Sequence, residues 1–166
     1  MKSELRAYWD GLLHLLYPQL CPACGDTLPV GVALLCLTCQ QTLPETGFHE
    51  QAENTFTERF AGRVALAHGT ALYYFSKGTR VQRLIHQLKY KQKREIGYQL
   101  GRYYGLQLRG DPNYQSLTGI VPVPLHPRKL HQRGYNQAEL FAEGLATAMD
   151  LPYWPTALIR HTYSSS

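Results

Sequence analysis

Apolar positions recur at helical spacing in four stretches of the chain. Leu5, Tyr8, Trp9, Leu12, Leu13 and Leu16 follow the i, i+3, i+4, i+7 spacing of an amphipathic helix over 4–16, which Pro18 helps to end. Glu4 and Asp10 argue that this helix packs on protein and does not lie on a membrane surface, which would want a basic polar face. Thr79 reads as the cap of a second helix running to about Lys91, with Val81, Leu84, Ile85 and Leu88 as its buried stripe. A third helix follows at about 94–109, with Ile96, Leu100, Tyr103 and Tyr104 inward. A fourth covers Tyr135 to Met149, with Leu140, Phe141, Leu145 and Ala148 at helical spacing. Gly97, Gly101 and Gly105 lie one turn apart on the third helix. Each costs about 1 kcal/mol relative to alanine, so such a smooth ridge predicts close backbone packing.

Strand signals are shorter. Thr70 to Phe75 has the aromatic weight of a strand. Ile120-Val121-Pro122-Val123-Pro124 reads as a short strand at a sheet edge, or one that ends in a functional loop, because proline cannot donate to a ladder. Pro155 to Ile159 is expected to start another strand, and residues 28–35 suit a small hairpin with Gly31 near its turn. The polar stretch between, with Pro44, Gly47 and Gly62 at its edges and a surface His49 inside, reads as a linker. The expected organisation is an N-terminal helix over 1–19, a cysteine module over 20–44, a linker over 45–62 and a main domain over 63–166.

Only four cysteines occur, as two matched turns: Cys21-Pro-Ala-Cys24 and Cys36-Leu-Thr-Cys39. A two-residue spacer lets both thiolates of a turn face one centre, and Gly25 helps the backbone to turn there. Two such turns point to a tetrahedral four-sulfur zinc site of the structural kind. Paired disulfides or redox use are the alternatives. No stretch approaches the ~20 apolar residues of a membrane-spanning helix, and no secretory leader is recognisable, so a cytoplasmic chain with reduced thiols is expected.

The 17 Lys+Arg against 12 Asp+Glu give a net charge of +5. Its distribution says more than its size. From Lys77 to Arg109 nine basic residues face one acid, Glu95, whereas Glu45 to Glu58 holds four acids and no Lys or Arg. Lys89, Lys91, Lys93 and Arg94 are the candidate nucleic-acid contacts, with Tyr90, Tyr98, Tyr103 and Tyr104 interleaved as stacking surfaces, although core packing is the favoured reading of Tyr103 and Tyr104. A solvated helix face is the alternative. A second basic cluster, His126, Arg128, Lys129, His131 and Arg133, leads from Val123-Pro124 into the fourth helix.

Three stretches together resemble the ComF family, phosphoribosyltransferase-like proteins associated with competence and DNA uptake. They are the double cysteine knuckle, Leu84-Ile85-His86-Gln87-Leu88-Lys89-Tyr90-Lys91, and the run from Ile120-Val121-Pro122-Val123-Pro124-Leu125 to Arg133-Gly134-Tyr135-Asn136-Gln137. The resemblance covers about Cys21 to Thr162. It implies an α/β fold class: a small four-cysteine zinc module followed by an incomplete type I phosphoribosyltransferase-like domain. It also makes 125–137 an anion-facing loop, with Arg128, Lys129 and Arg133 supplying charge and Asn136 and Gln137 capping and positioning.

The family pattern continues into an Asp-Asp pair and a Thr-Thr-Gly loop for the ribose and its phosphate, and these 166 residues contain neither. The resemblance therefore reads the chain as a truncated copy without catalytic residues. Mg²⁺ and phosphoribosyl pyrophosphate are implied only for a full-length form. The expected function is DNA-uptake-associated, with single-stranded DNA and a DNA-uptake motor protein as the expected partners. The alternatives are a nucleic-acid-binding or protein-interaction module using the zinc ribbon and basic helices, and a non-functional fragment.

Overall fold

Two helices without side chains at their crossing organise the molecule. A computed structural model describes residues 11, 13, 16–32, 34–90 and 94–163, with the backbone alone at Tyr90. Among the described residues the α-helices with both ends defined are, in chain order, α1 (Leu37–Thr42), α2 (Thr55–Glu58), α3 (Arg80–Tyr90), α4 (Arg94–Arg109), α5 (Pro127–Arg133) and α6 (Gln137–Met149). Short 3-10 turns lie at Phe48–Glu50 and Pro112–Tyr114.

The glycine ridge does what its spacing predicts. A Cβ on Gly101 would stand 2.0 Å from the Phe141 carbonyl oxygen of α6, and one on Gly105 would stand 2.7 Å from the Ala148 Cβ. The fit is reciprocal, since a Cβ on Gly144 of α6 would stand 2.1 Å from the Tyr98 carbonyl oxygen. Helix α4 therefore meets α6 backbone to backbone, and the conformational cost of each glycine is offset by dispersion contacts along the seam. Tyr104, Leu108 and Met149 form a buried cluster at one end of this pair.

The larger cluster joins the cysteine module to the helices. Cys21, Ala23, Leu28, Leu35, Cys39 and Leu43 share one core with Val81 and Leu84 of α3 and with Ile96 and Leu100 of α4. The module is thus packed into the helical body at its base, where the sequence suggested a unit of its own. The stretch read as a linker is also folded. Asn54, only 5% exposed, caps α2 through its Oδ1 and donates from its amide to the carbonyls of Phe48 and Gly69. His49, expected at the surface, lies against Tyr104 with ring centroids 5.7 Å apart.

Helix α3 begins where expected, with the Gln82 amide donating to Thr79 Oγ1 at 3.4 Å. The strands shrink to bridges, and the regular elements among the described residues are helices, with no extended strand. Tyr73 pairs antiparallel with Glu45, and Ile120 pairs in parallel with Tyr153. The Ile120 amide donates to the Pro152 carbonyl at 2.8 Å, and the Trp154 amide donates to the Ile120 carbonyl at 2.9 Å. Prolines at 122, 124, 152 and 155 remove the donors that would lengthen this ladder. The expected hairpin over 28–35 is replaced by a bridge between Leu20 and Thr27 and a turn in which the Val32 amide donates to the Pro29 carbonyl. The expected helix over 4–16 falls mostly outside the described residues; Gly11, Leu13 and Leu16 are helical.

Replacing Gly101 by alanine raises intrinsic helix propensity but places a methyl group inside the α6 backbone. The clash should win. The variant is expected to lose about 1–3 kcal/mol of stability, read as a lowered midpoint in thermal unfolding followed by circular dichroism. An unchanged or higher midpoint would show that the crossing has room.

Candidate metal centre and basic end

The first cysteine turn is closed by its own backbone. The Cys21 amide donates to the Asp26 carbonyl and the Gly25 amide donates back to the Cys21 carbonyl, both at 2.8 Å. Gly25 takes φ 91°, a region that side chains avoid, so the chain reverses directly behind Cys24. In the second turn Cys36 stands at the N-cap of α1 and Cys39 lies within that helix. Cys21 and Cys39 are buried, Cys24 and Cys36 half-buried, and all four are free thiols.

The four Sγ atoms lie within 4.8 Å of one another, and Cys24 Sγ stands 3.6 Å from Cys36 Sγ. A tetrahedral centre with metal–sulfur bonds of about 2.3 Å needs sulfurs about 3.8 Å apart. A disulfide needs about 2.05 Å, so this geometry is that of ligands around one point. The four cysteines could hold a single metal ion.

Crowding splits the acidities of the thiols. Burial pushes Cys21 up, but backbone hydrogen bonds from Cys36, Cys24 and Ala23 outweigh it and bring it down to about 7. Cys24 is pushed up to about 11, chiefly by burial. Cys39 is raised by burial, by hydrogen bonding with the other three thiols and by the charge of Cys21. One negative charge forms readily in this site, and further charge needs a cation.

Helix α3 holds the module from outside. Arg83 donates to the Cys24 carbonyl at 2.7 Å, and Arg80 donates to Thr42 Oγ1 at 3.0 Å. Sequence reasoning counted both only as part of the basic run. Their i, i+3 spacing on α3 was the available signal, but their partners lie 59 and 38 residues away in the chain.

The stretch 125–137 is largely helical. His126 caps α5, its Nδ1 accepting from the Arg128 amide at 3.2 Å, and Gly134 ends the helix with φ 77°. The guanidinium of Arg128 and the ammonium of Lys129 lie 5.8 and 5.7 Å from the Tyr163 ring centroid, and His126 meets the same ring edge-on. Arg133 donates to Gln137 Oε1 at 3.2 Å. Asn136 is buried and faces inward. Its Oδ1 accepts from the Ala138 amide, while its Nδ2 donates to the Val123 carbonyl at 3.0 Å and to Glu139 Oε1 at 3.1 Å. It locks the end of the Ile120 segment onto α6.

The two basic clusters come together at Tyr135. Its hydroxyl donates to the Leu88 carbonyl of α3, and Arg94 lies over its ring at 5.6 Å. Lys89 is exposed next to Leu88, and Arg94 is exposed at the start of α4. Lys91 and Lys93 lie outside the described residues. The end of α3, the start of α4 and the turn between α5 and α6 therefore meet at Tyr135, a basic end that spacing along the chain did not reveal.

Comparison with known proteins gives matches of the same kind. The chain is 31% identical over 86 residues to "Competence protein F" of Haemophilus influenzae, covering 49% of this chain and 38% of that one. It is 38% identical over 66 residues to "DNA utilization protein YhgH" of Escherichia coli K12, covering 38% of this chain and 29% of that one. These similarities support a ComF-family assignment. The chain thus spans about a third of the length of the curated relatives it matches. No family model matches the chain. No solved structure matches it either.

Two of the motifs that carried the resemblance acquire structural roles. The Arg-Gly-Tyr-Asn-Gln run joins α5 to α6 and bonds back to α3, and the double knuckle is a closed ligand set. No helix among the described residues is long and apolar enough to cross a membrane.

Metal binding should be steeply pH-dependent. At pH 7 the Cys24 and Cys39 thiols carry protons, so a divalent ion must displace at least two. Affinity should fall by at least about 100-fold for each unit of pH lost below neutrality. Cobalt(II) titration of the reduced chain, followed by thiolate charge-transfer absorbance, checks this. A pH-independent affinity would mean that the four thiols do not act as one ligand set.

Proposed function

We propose that this chain is a zinc-stabilised DNA-handling protein of the ComF kind, acting in the cytoplasm and holding single-stranded DNA at its basic end. The observation that carries this reading is the meeting at Tyr135 of Arg94 and the end of α3, where Lys89 is exposed. The printed names of the relatives, a competence protein and a DNA utilization protein, support it. Phosphates need fixed cations, and this end offers them.

Zinc is the metal proposed for Cys21, Cys24, Cys36 and Cys39. Four thiolates in tetrahedral reach suit a soft-tolerant ion with no geometric demand of its own. Its role is structural, because these cysteines share a core with α3 and α4.

An α/β reading of the main domain draws support from the parallel pairing of Ile120 with Tyr153 across α6, which has the order of a strand–helix–strand unit. In a type I phosphoribosyltransferase-like domain, Arg128, Lys129 and Arg133 would face phosphate groups, and Asn136 and Gln137 would brace the turn. The acidic pair that would hold the ribose is absent from these 166 residues. Binding of inorganic pyrophosphate without phosphoribosyl transfer is therefore the expected behaviour of this chain, with Arg133→Ala weakening the binding severalfold. Isothermal titration checks the binding, and turnover of phosphoribosyl pyrophosphate would overturn the assignment.

The DNA reading is tested by salt. If Lys89, Lys91, Lys93 and Arg94 each neutralise a phosphate, affinity for an oligothymidine should drop about 50-fold between 50 and 200 mM salt. Changing the three lysines to glutamine should weaken binding and cut the salt slope to about a quarter of its value. Fluorescence anisotropy measures both. An unchanged slope would reduce the basic end to a solvated surface.

A further inference from the structure

A cavity of about 430 Å³ lies between the cysteine module and α4. That volume is within the range of small-molecule sites, roughly 300–1,000 Å³. One wall is Val32, Leu34 and Leu35, from the segment that links the two cysteine turns. The opposite wall is α4, which presents Leu106, 60% exposed, beside Arg102 and Tyr103.

Three polar side chains of the lining have partners within the chain. Gln40 Nε2 donates to the Leu35 carbonyl at 2.7 Å, and Gln99 Nε2 donates to Glu95 Oε1 at 2.7 Å. The Tyr103 hydroxyl donates to Glu45. Arg102 is the only charged side chain lining the cavity, and among the described residues its guanidinium has no ion pair or hydrogen bond. An apolar slot ending at an unpaired planar fork of N–H donors is complementary to a molecule with an apolar body and one carboxylate.

We propose that this cavity binds a small amphiphilic carboxylic acid, its apolar chain between Leu34 and Leu106 and its carboxylate on Arg102. The site is separate from the basic end and does not depend on the DNA reading. Its wall belongs to the segment that the cysteine cluster pins at both ends, which ties the shape of the slot to the closure of that cluster.

The probe is octanoate, titrated into the full chain and followed by isothermal titration, with 1-octanol as the neutral analogue. Saturable 1:1 binding of octanoate is expected, at least tenfold tighter than octanol. Arg102→Gln should weaken octanoate at least tenfold and leave octanol unchanged, and Arg102→Lys should fall between. Arg102 is exposed on the helix, so these variants should keep the wild-type circular dichroism spectrum, which is checked alongside. Equal affinity for octanoate and octanol, an Arg102→Gln variant that binds octanoate as wild type does, or no saturable binding of octanoate would each overturn the proposal.

Discussion

The fold rests on the absence of three side chains. Gly97, Gly101 and Gly105 let α4 approach α6 until backbone meets backbone, and Gly144 completes the seam from the other side. Everything else is positioned from that contact. Helix α6 carries Asn136 at its start and leads to Tyr153 beyond its end, so its placement brings the Val123 carbonyl and the Ile120 bridge into register. Helix α4 turns Ile96 and Leu100 toward α3 and the cysteine module, and Leu106 and Arg102 toward the slot beside it. A side chain at the crossing would move both helices at once, because close-packed interiors shift as blocks.

The second constraint is ionic and acts on the first through the shared core. Four thiols within 4.8 Å of one another cannot all ionise without a counter-charge. Yet Cys21 and Cys39 are themselves core residues, packed with Leu84 and Leu100. A cation at their centre would therefore stabilise more than a surface knuckle, since the packing of α3 against α4 uses the same side chains. The Arg83 bond to the Cys24 carbonyl adds a polar tie between the same two units. Loss of the metal should consequently be felt along α3, unlike in a domain with an independent zinc ribbon.

The three long helices and the clustering of the four cysteines were legible in the sequence, because their signals are local. The 3.6-residue stripe of α3, the glycine ridge of α4 and the two cysteine turns each state their geometry within a few residues. What was not legible depended on partners far along the chain. The stretch 45–62 looks like a linker by composition, but Asn54 buries itself by satisfying carbonyls at Phe48 and Gly69. The strand signal at 70–75 was reduced to one bridge because its partner is the short Pro44–Thr46 segment, where proline supplies an acceptor but no donor. Of the expected anion-loop residues, Asn136 caps α6 and its amide is committed to Val123 and Glu139, partners that lie outside the loop's own pattern. The basic residues named from charge alone split between roles: Arg80 and Arg83 hold the module, whereas Lys89 and Arg94 remain at the exposed end.

Tyr135 shows how that end is kept in shape. A basic end on separate helices would repel itself open unless something neutral joined its parts. Tyr135 is buried, accepts no charge of its own, and bonds through its hydroxyl to the Leu88 carbonyl near the C-terminal end of α3. Burial raises its pKa, against the lowering effect of Arg94 and Arg133, so the phenol stays protonated and the donor stays in place. Its ring face meanwhile takes the Arg94 guanidinium at 5.6 Å, an attraction worth about 0.5–1 kcal/mol at an exposed site. One neutral side chain thus joins the end of α3 to Arg94 at the start of α4. A phenylalanine there would keep the cation–π contact and lose the bond to α3, which separates the role of the ring from that of the hydroxyl.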